Sequence, residues 1–123
     1  AETLADDHPD LALSRHNLSM ALLKLDRHAE ALPLLRAAWS VRNKHPSPAS
    51  RGATAHLLAR ALAADPAGRA EALTVAATAM AAYEEAGPSV ADKREELTAS
   101  IEAWRAELAE PPAESPAASR AEE

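Results

Sequence analysis

Cysteine is absent from this chain of 123 residues. That excludes disulfides, thiolate catalysis and zinc sites built on cysteine. Aromatic residues make up 2%, and phenylalanine is missing. With valine, isoleucine and tyrosine also scarce, the chain lacks the residues of a sheet. No apolar run nears the roughly 20 residues of a transmembrane helix, and no secretory leader is visible. Basic charge is short: the net charge is −6. An acidic surface argues against nucleic acid or an anionic membrane as the main partner. A cytoplasmic setting is the expectation. Lysine is scarce beside arginine, and alanine is abundant. That bias suggests a GC-rich bacterial genome, an inference about codons rather than physics.

What the chain does have is alanine and leucine, the bulk of its 47% hydrophobic residues. Both favour helix, so the fold class is all-α, in one small domain. Gly52, Gly68 and Gly87 are spaced like breaks between helices. The pattern predicts helices over 9–25, 28–44, 49–64, 69–86 and 90–109. Residues 1–8 read as the end of a preceding helix or linker in a longer protein. Asp26, Arg27 and His28 form the first turn, and the Pro46 and Pro48 pair is a hard break. Pro33 lies near the start of the second helix, where it removes one early hydrogen bond without ending the helix. Gly87 and Pro88 stop the fourth helix, and Ser89 is placed to cap the fifth. From residue 110 to 123 the composition turns to Pro, Ala, Glu and Ser, a disordered tail.

The stretch from His16 to Val41 reads as the organising unit. Leu18, Ala21, Leu22 and Leu25 have the spacing of one buried helical face. After the turn come Ala31, Leu32, Leu34, Leu35, Ala38, Trp39 and Val41. Glu30-Ala31-Leu32 returns as Glu71-Ala72-Leu73 further on, with Ala76 and Ala79 in the places of Leu35 and Ala38. In the last helix, Leu97, Ile101, Trp104 and Leu108 form a narrow apolar seam on an otherwise charged rod, as an end cap of a stacked array would.

These residues resemble a tetratricopeptide repeat, a helix–turn–helix unit of about 34 residues. The likeness rests on Asn17-Leu18-Ser19, Ala21-Leu22, Glu30-Ala31-Leu32, Leu35 and Ala38. His8-Pro9 at the opening and Pro33 after "EAL" are similar to the kinesin-light-chain or nephrocystin-like variant. The resemblance implies a right-handed stack of two such hairpins, over 9–45 and 46–87. The second is degenerate, and the helix over 88–109 caps it. It also implies a concave groove lined by the first helix of each repeat. Groove positions would be Leu13, His16, Asn17, Met20 and Lys24, then Ala53, His56 and Arg60. Asn17 falls where this variant carries an asparagine that bonds the ligand backbone; the second repeat has Leu57 there.

Catalytic patterns are missing. No nucleophile elbow, phosphate loop or dinucleotide glycine motif is present. The five histidines show no helical metal-site spacing. His8 and His45 read instead as helix-start residues before proline, and Trp39 and Trp104 as core. No cofactor is expected. The expected function is a non-catalytic protein-interaction module, part of a bacterial signalling or scaffold protein. Lys24 and Arg60 with the two histidines suggest an acidic partner segment. The alternatives are self-association through an open N-terminal face, or regulation of an attached kinase or ATPase.

Overall fold

Prolines and glycines set the helix boundaries. The computed structural model describes residues 7–109, and every regular element among them is helical. Helix α1 spans Pro9–Lys24, α2 His28–Arg42, α3 Pro48–Ala63, α4 Arg69–Ala86 and α5 Ala91–Ala109. Single 3-10 turns at Pro66–Gly68 and Pro88–Val90 lead into α4 and α5. Ser89 therefore sits inside a 3-10 turn and makes no capping bond. Most of the expected leading segment, and the whole expected tail, lie outside the described residues.

The two His-Pro pairs share one local device. His8 Nδ1 accepts the Asp10 N–H at 3.0 Å, and His45 Nδ1 accepts the Ser47 N–H at 2.9 Å. In each case the ring reaches across a proline that has no N–H of its own to offer. Ser47 Oγ then accepts from Ser50 N–H at 3.3 Å and caps α3.

Helix α1 ends in a Schellman turn. Arg27 N–H bonds Leu22 O at 2.8 Å, and Asp26 N–H bonds Leu23 O at 3.1 Å. Asp26 holds φ 61, the left-handed region that suits glycine. Asp26→Gly is expected to stabilise the fold by roughly 0.5–1 kcal/mol, read as a raised urea midpoint with unchanged slope.

Each helix packs on the one after it, and α3 also meets α1. The most deeply set helix is α3, not the α1–α2 unit that the sequence puts at the centre. Thr54 to Ala59 form an unbroken buried run along it. Its leucines Leu57, Leu58 and Leu62 join Leu22, Leu23 and Leu35 in one cluster. Its alanines Ala55 and Ala59 join Ala76, Ala79, Tyr83 and Leu97 in another. Helix α5 covers that second cluster with Leu97, while Ile101 and Trp104 pack at its margin.

The internal repeat reappears in the packing. Ala31, Leu35 and Ala38 are all fully buried, and so are their counterparts Ala72, Ala76 and Ala79. Small side chains there let neighbouring backbones approach closely. Gly52 serves the same end between α3 and α4. A Cβ on Gly52 would lie 2.5 Å from Tyr83 Cδ1, and Tyr83 is itself buried. Gly52→Ala therefore drives a methyl group into a packed ring. A loss of about 1–3 kcal/mol is expected, measured by chemical denaturation.

The apolar stripe assigned to α1 needs correction. Leu18 is 52% exposed and Leu25 64%, and Ala21 is exposed as well. The buried face instead carries Ala12, His16, Ser19, Leu22 and Leu23. The inward side packs against α2 and α3 with two small residues, one polar ring and two leucines. Leu18 and Leu25 are left on the outer side.

Candidate interaction groove

The proposed groove positions separate into two groups. Leu13, Asn17, Met20 and Lys24 are spaced four, three and four apart, so they fall on one face of α1. All of them are exposed. Arg60, in the last turn of α3, is exposed too, and Ala53 is half-buried. Arg60 lines a shallow cleft with Asp26, His28, Ala63, Ser100 and Trp104. This cleft joins the α1–α2 turn, the end of α3 and the middle of α5. Asp26 at its rim opposes the positive charge of Arg60, so the cleft is mixed in sign rather than plainly basic.

His16 and His56 are not groove residues. They are 7% and 8% exposed, and both rings are engaged inside the fold. His16 Nδ1 stands 2.9 Å from Thr54 Oγ1. Arg42 Nε donates to the same oxygen at 2.7 Å, and the Thr54 hydroxyl lies 3.3 Å from Ser50 O. One arrangement satisfies all three. Arg42 and His16 donate to the two lone pairs of Thr54 Oγ1, and its proton goes to Ser50 O. Thr54 thus ties α1, α2 and α3 together at a buried point. Burial, helped by the Arg42 charge, lowers the His16 pKa to about 4, so the ring is neutral at pH 7. Burial also pulls the Arg42 pKa below its usual value.

His56 forms the corresponding link between α3 and α4. Its Nδ1 is 3.0 Å from the Tyr83 hydroxyl, and the two rings meet edge to face at 5.8 Å. Burial first, then the Arg60 charge, lowers the His56 pKa to about 4. Burial, with the Glu96 charge, raises the Tyr83 pKa to about 12. A neutral ring facing a protonated phenol is the stable pairing.

Sequence reading missed Arg42, Thr54 and Tyr83. A signal for Arg42 was present, since it follows Ala31, Leu35 and Ala38 in the same helical register as the buried face. A charge placed in line with buried alanines points to an internal partner.

Around these links, ion pairs nearer the surface join α2 to α4, α3 to α4 and α4 to α5. Arg36 holds Glu71 through two bonds of 2.9 and 3.0 Å, and Arg69 meets Glu107 at 2.7 Å. Arg51 bonds His45 O at 2.6 Å and also pairs with Glu85. Exposed pairs of this kind add little stability but fix relative orientation.

Among the described residues no cluster of His, Cys, Asp or Glu is placed to hold a metal ion, and no helix is long and apolar enough to cross a membrane. Compared with known protein families, curated proteins and solved structures, the chain matches none.

Proposed function

We propose that the chain is a non-catalytic protein-interaction module of tetratricopeptide-like build. Its two hairpins stack in a right-handed sense under the cap of α5, in a cytoplasmic signalling or scaffold protein. A partner segment lies along the exposed face of α1 and reaches Arg60. The observation that carries this reading is that face itself. Leu13 and Met20 are 44% and 38% exposed, beside the polar ends of Asn17 and Lys24. Alternating apolar and hydrogen-bonding groups on a rigid helix suit an extended or helical peptide. Asn17 offers both a donor and an acceptor to such a backbone.

The test is a screen of acidic peptides against the chain, followed by Asn17→Ala and Arg60→Ala. Each substitution is expected to weaken a selected peptide about five- to tenfold, the effect of roughly 1 kcal/mol or slightly more. Unchanged affinity in both variants eliminates the groove.

A second reading has its own observation. Leu18, Ala21 and Leu25 form an apolar face on the outer side of α1, where another copy or a preceding helix would pack. Sedimentation over a wide concentration range tests self-association, and a constant monomer mass removes it.

A further inference from the structure

At the end of the α1–α2 pair away from the proposed groove lies a pocket of about 490 Å³. Its walls are Asp7, Pro9, Ser40, Val41, Arg42, Lys44, His45 and Pro46. Arg42 is only 8% exposed. Its Nε is occupied by the neutral hydroxyl of Thr54. No carboxylate among the described residues pairs with it, which is unusual for a buried charge. None of its polar atoms is sealed off without a partner. Arg42 lines the pocket, and among the described residues no hydrogen bond engages its two Nη atoms.

The other polar groups define what would fit there. Lys44 adds a second positive charge, and Asp7 sets one negative charge against the two. The balance is one net positive charge. His45 accepts the Ser47 N–H at Nδ1, so its ring proton sits on Nε2 as a further donor. The Ser40 hydroxyl is already committed to Ala37 O at 2.7 Å. Pro9, Val41 and Pro46 supply apolar wall. A planar guanidinium favours a planar, two-oxygen acceptor. A net charge of one favours a monoanion over a dianion such as phosphate.

We propose that this pocket binds a monocarboxylate with a short apolar tail, its carboxylate against Arg42 and Lys44 and its tail along Pro9, Val41 and Pro46. Such a group belongs to a free organic acid or to the C-terminus of an apolar peptide. The proposal is independent of the groove on α1, because the two sites share no residue.

Titration of the full chain at neutral pH, followed by amide NMR, tests it. Sodium hexanoate is expected to shift the Val41, Arg42 and Lys44 amides saturably, with a dissociation constant on the order of 1 mM for so small a ligand. Hexanol, which lacks the charge, should not bind, and phosphate should bind at least tenfold more weakly. N-acetyl-valyl-leucine as the free acid separates the two sources. Tighter binding than hexanoate assigns the site to a peptide C-terminus, and weaker binding assigns it to a free acid. Lys44→Glu, an exposed change that spares the Thr54 contacts, should abolish hexanoate binding while the helical signal is retained. Hexanol binding as well as hexanoate, equal binding of phosphate, or undiminished binding by the Lys44→Glu variant each overturns the proposal.

Discussion

Thr54→Val is expected to destabilise the fold by about 3–5 kcal/mol, although the two side chains have nearly the same shape. The Thr54 hydroxyl takes hydrogen bonds from Arg42 and His16 in the interior. Valine leaves the Arg42 Nε–H and the His16 Nδ1–H, two donors inside the fold, without that acceptor. Each unsatisfied buried donor costs about 1–3 kcal/mol, more where it belongs to a charged group. Thr54→Ser keeps the oxygen and loses a methyl group, so it should cost only about 1 kcal/mol. Urea unfolding of the two variants side by side decides the matter. Equal losses would mean that packing, not the shared oxygen, holds the three helices.

Mild acid should destabilise the chain steeply through its two buried histidines. His16 and His56 have pKa values lowered to about 4 from an ordinary 6.5. Above about pH 6.5 both rings are neutral folded and unfolded, and no stability depends on pH through them. Between about 6.5 and 4 the unfolded chain takes up protons that the folded chain refuses. Stability therefore falls as pH falls across that window, and levels off below it on this account. The difference is on the order of 3 kcal/mol per ring, and together they rival the whole stability of a small domain. The charges facing His56 are Arg60 and Lys93, which deepen the effect, and Glu96, which opposes it. Denaturation midpoints measured between pH 7.5 and pH 5 should show a steep decline. His56→Phe should remove about half of that slope, whatever it does to stability at neutral pH. A flat profile, or an unaltered slope in the variant, would mean that the buried rings accept protons without penalty.

The helix boundaries were legible because proline and glycine act locally. Pro9, Pro48, Pro66 and Pro88 each open an element, and Gly87 closes α4 at φ 86, where a side chain is disfavoured. The repeated Ala31, Leu35, Ala38 and Ala72, Ala76, Ala79 pattern was legible for a similar reason, since equal spacing yields equal burial. The facing of α1 was not. Hydropathy favoured Leu18 and Leu25, but neighbours distant in sequence decided which side turned inward. His16 meets a hydroxyl on α3 and His56 meets a phenol on α4. Neither pairing leaves any periodic trace. The same holds for Gly52, whose missing side chain makes room for Tyr83.

The knot at Thr54 also bears on how the chain comes apart. Terminal helices ordinarily open locally before the rest of a fold. Here detaching α1 strips His16 from α3 and admits water to Arg42 and Thr54 in the same event. The first hairpin and the helix behind it are thereby locked into a single cooperative block. Fraying at the amino-terminal side of the fold is suppressed by chemistry located one hairpin further along.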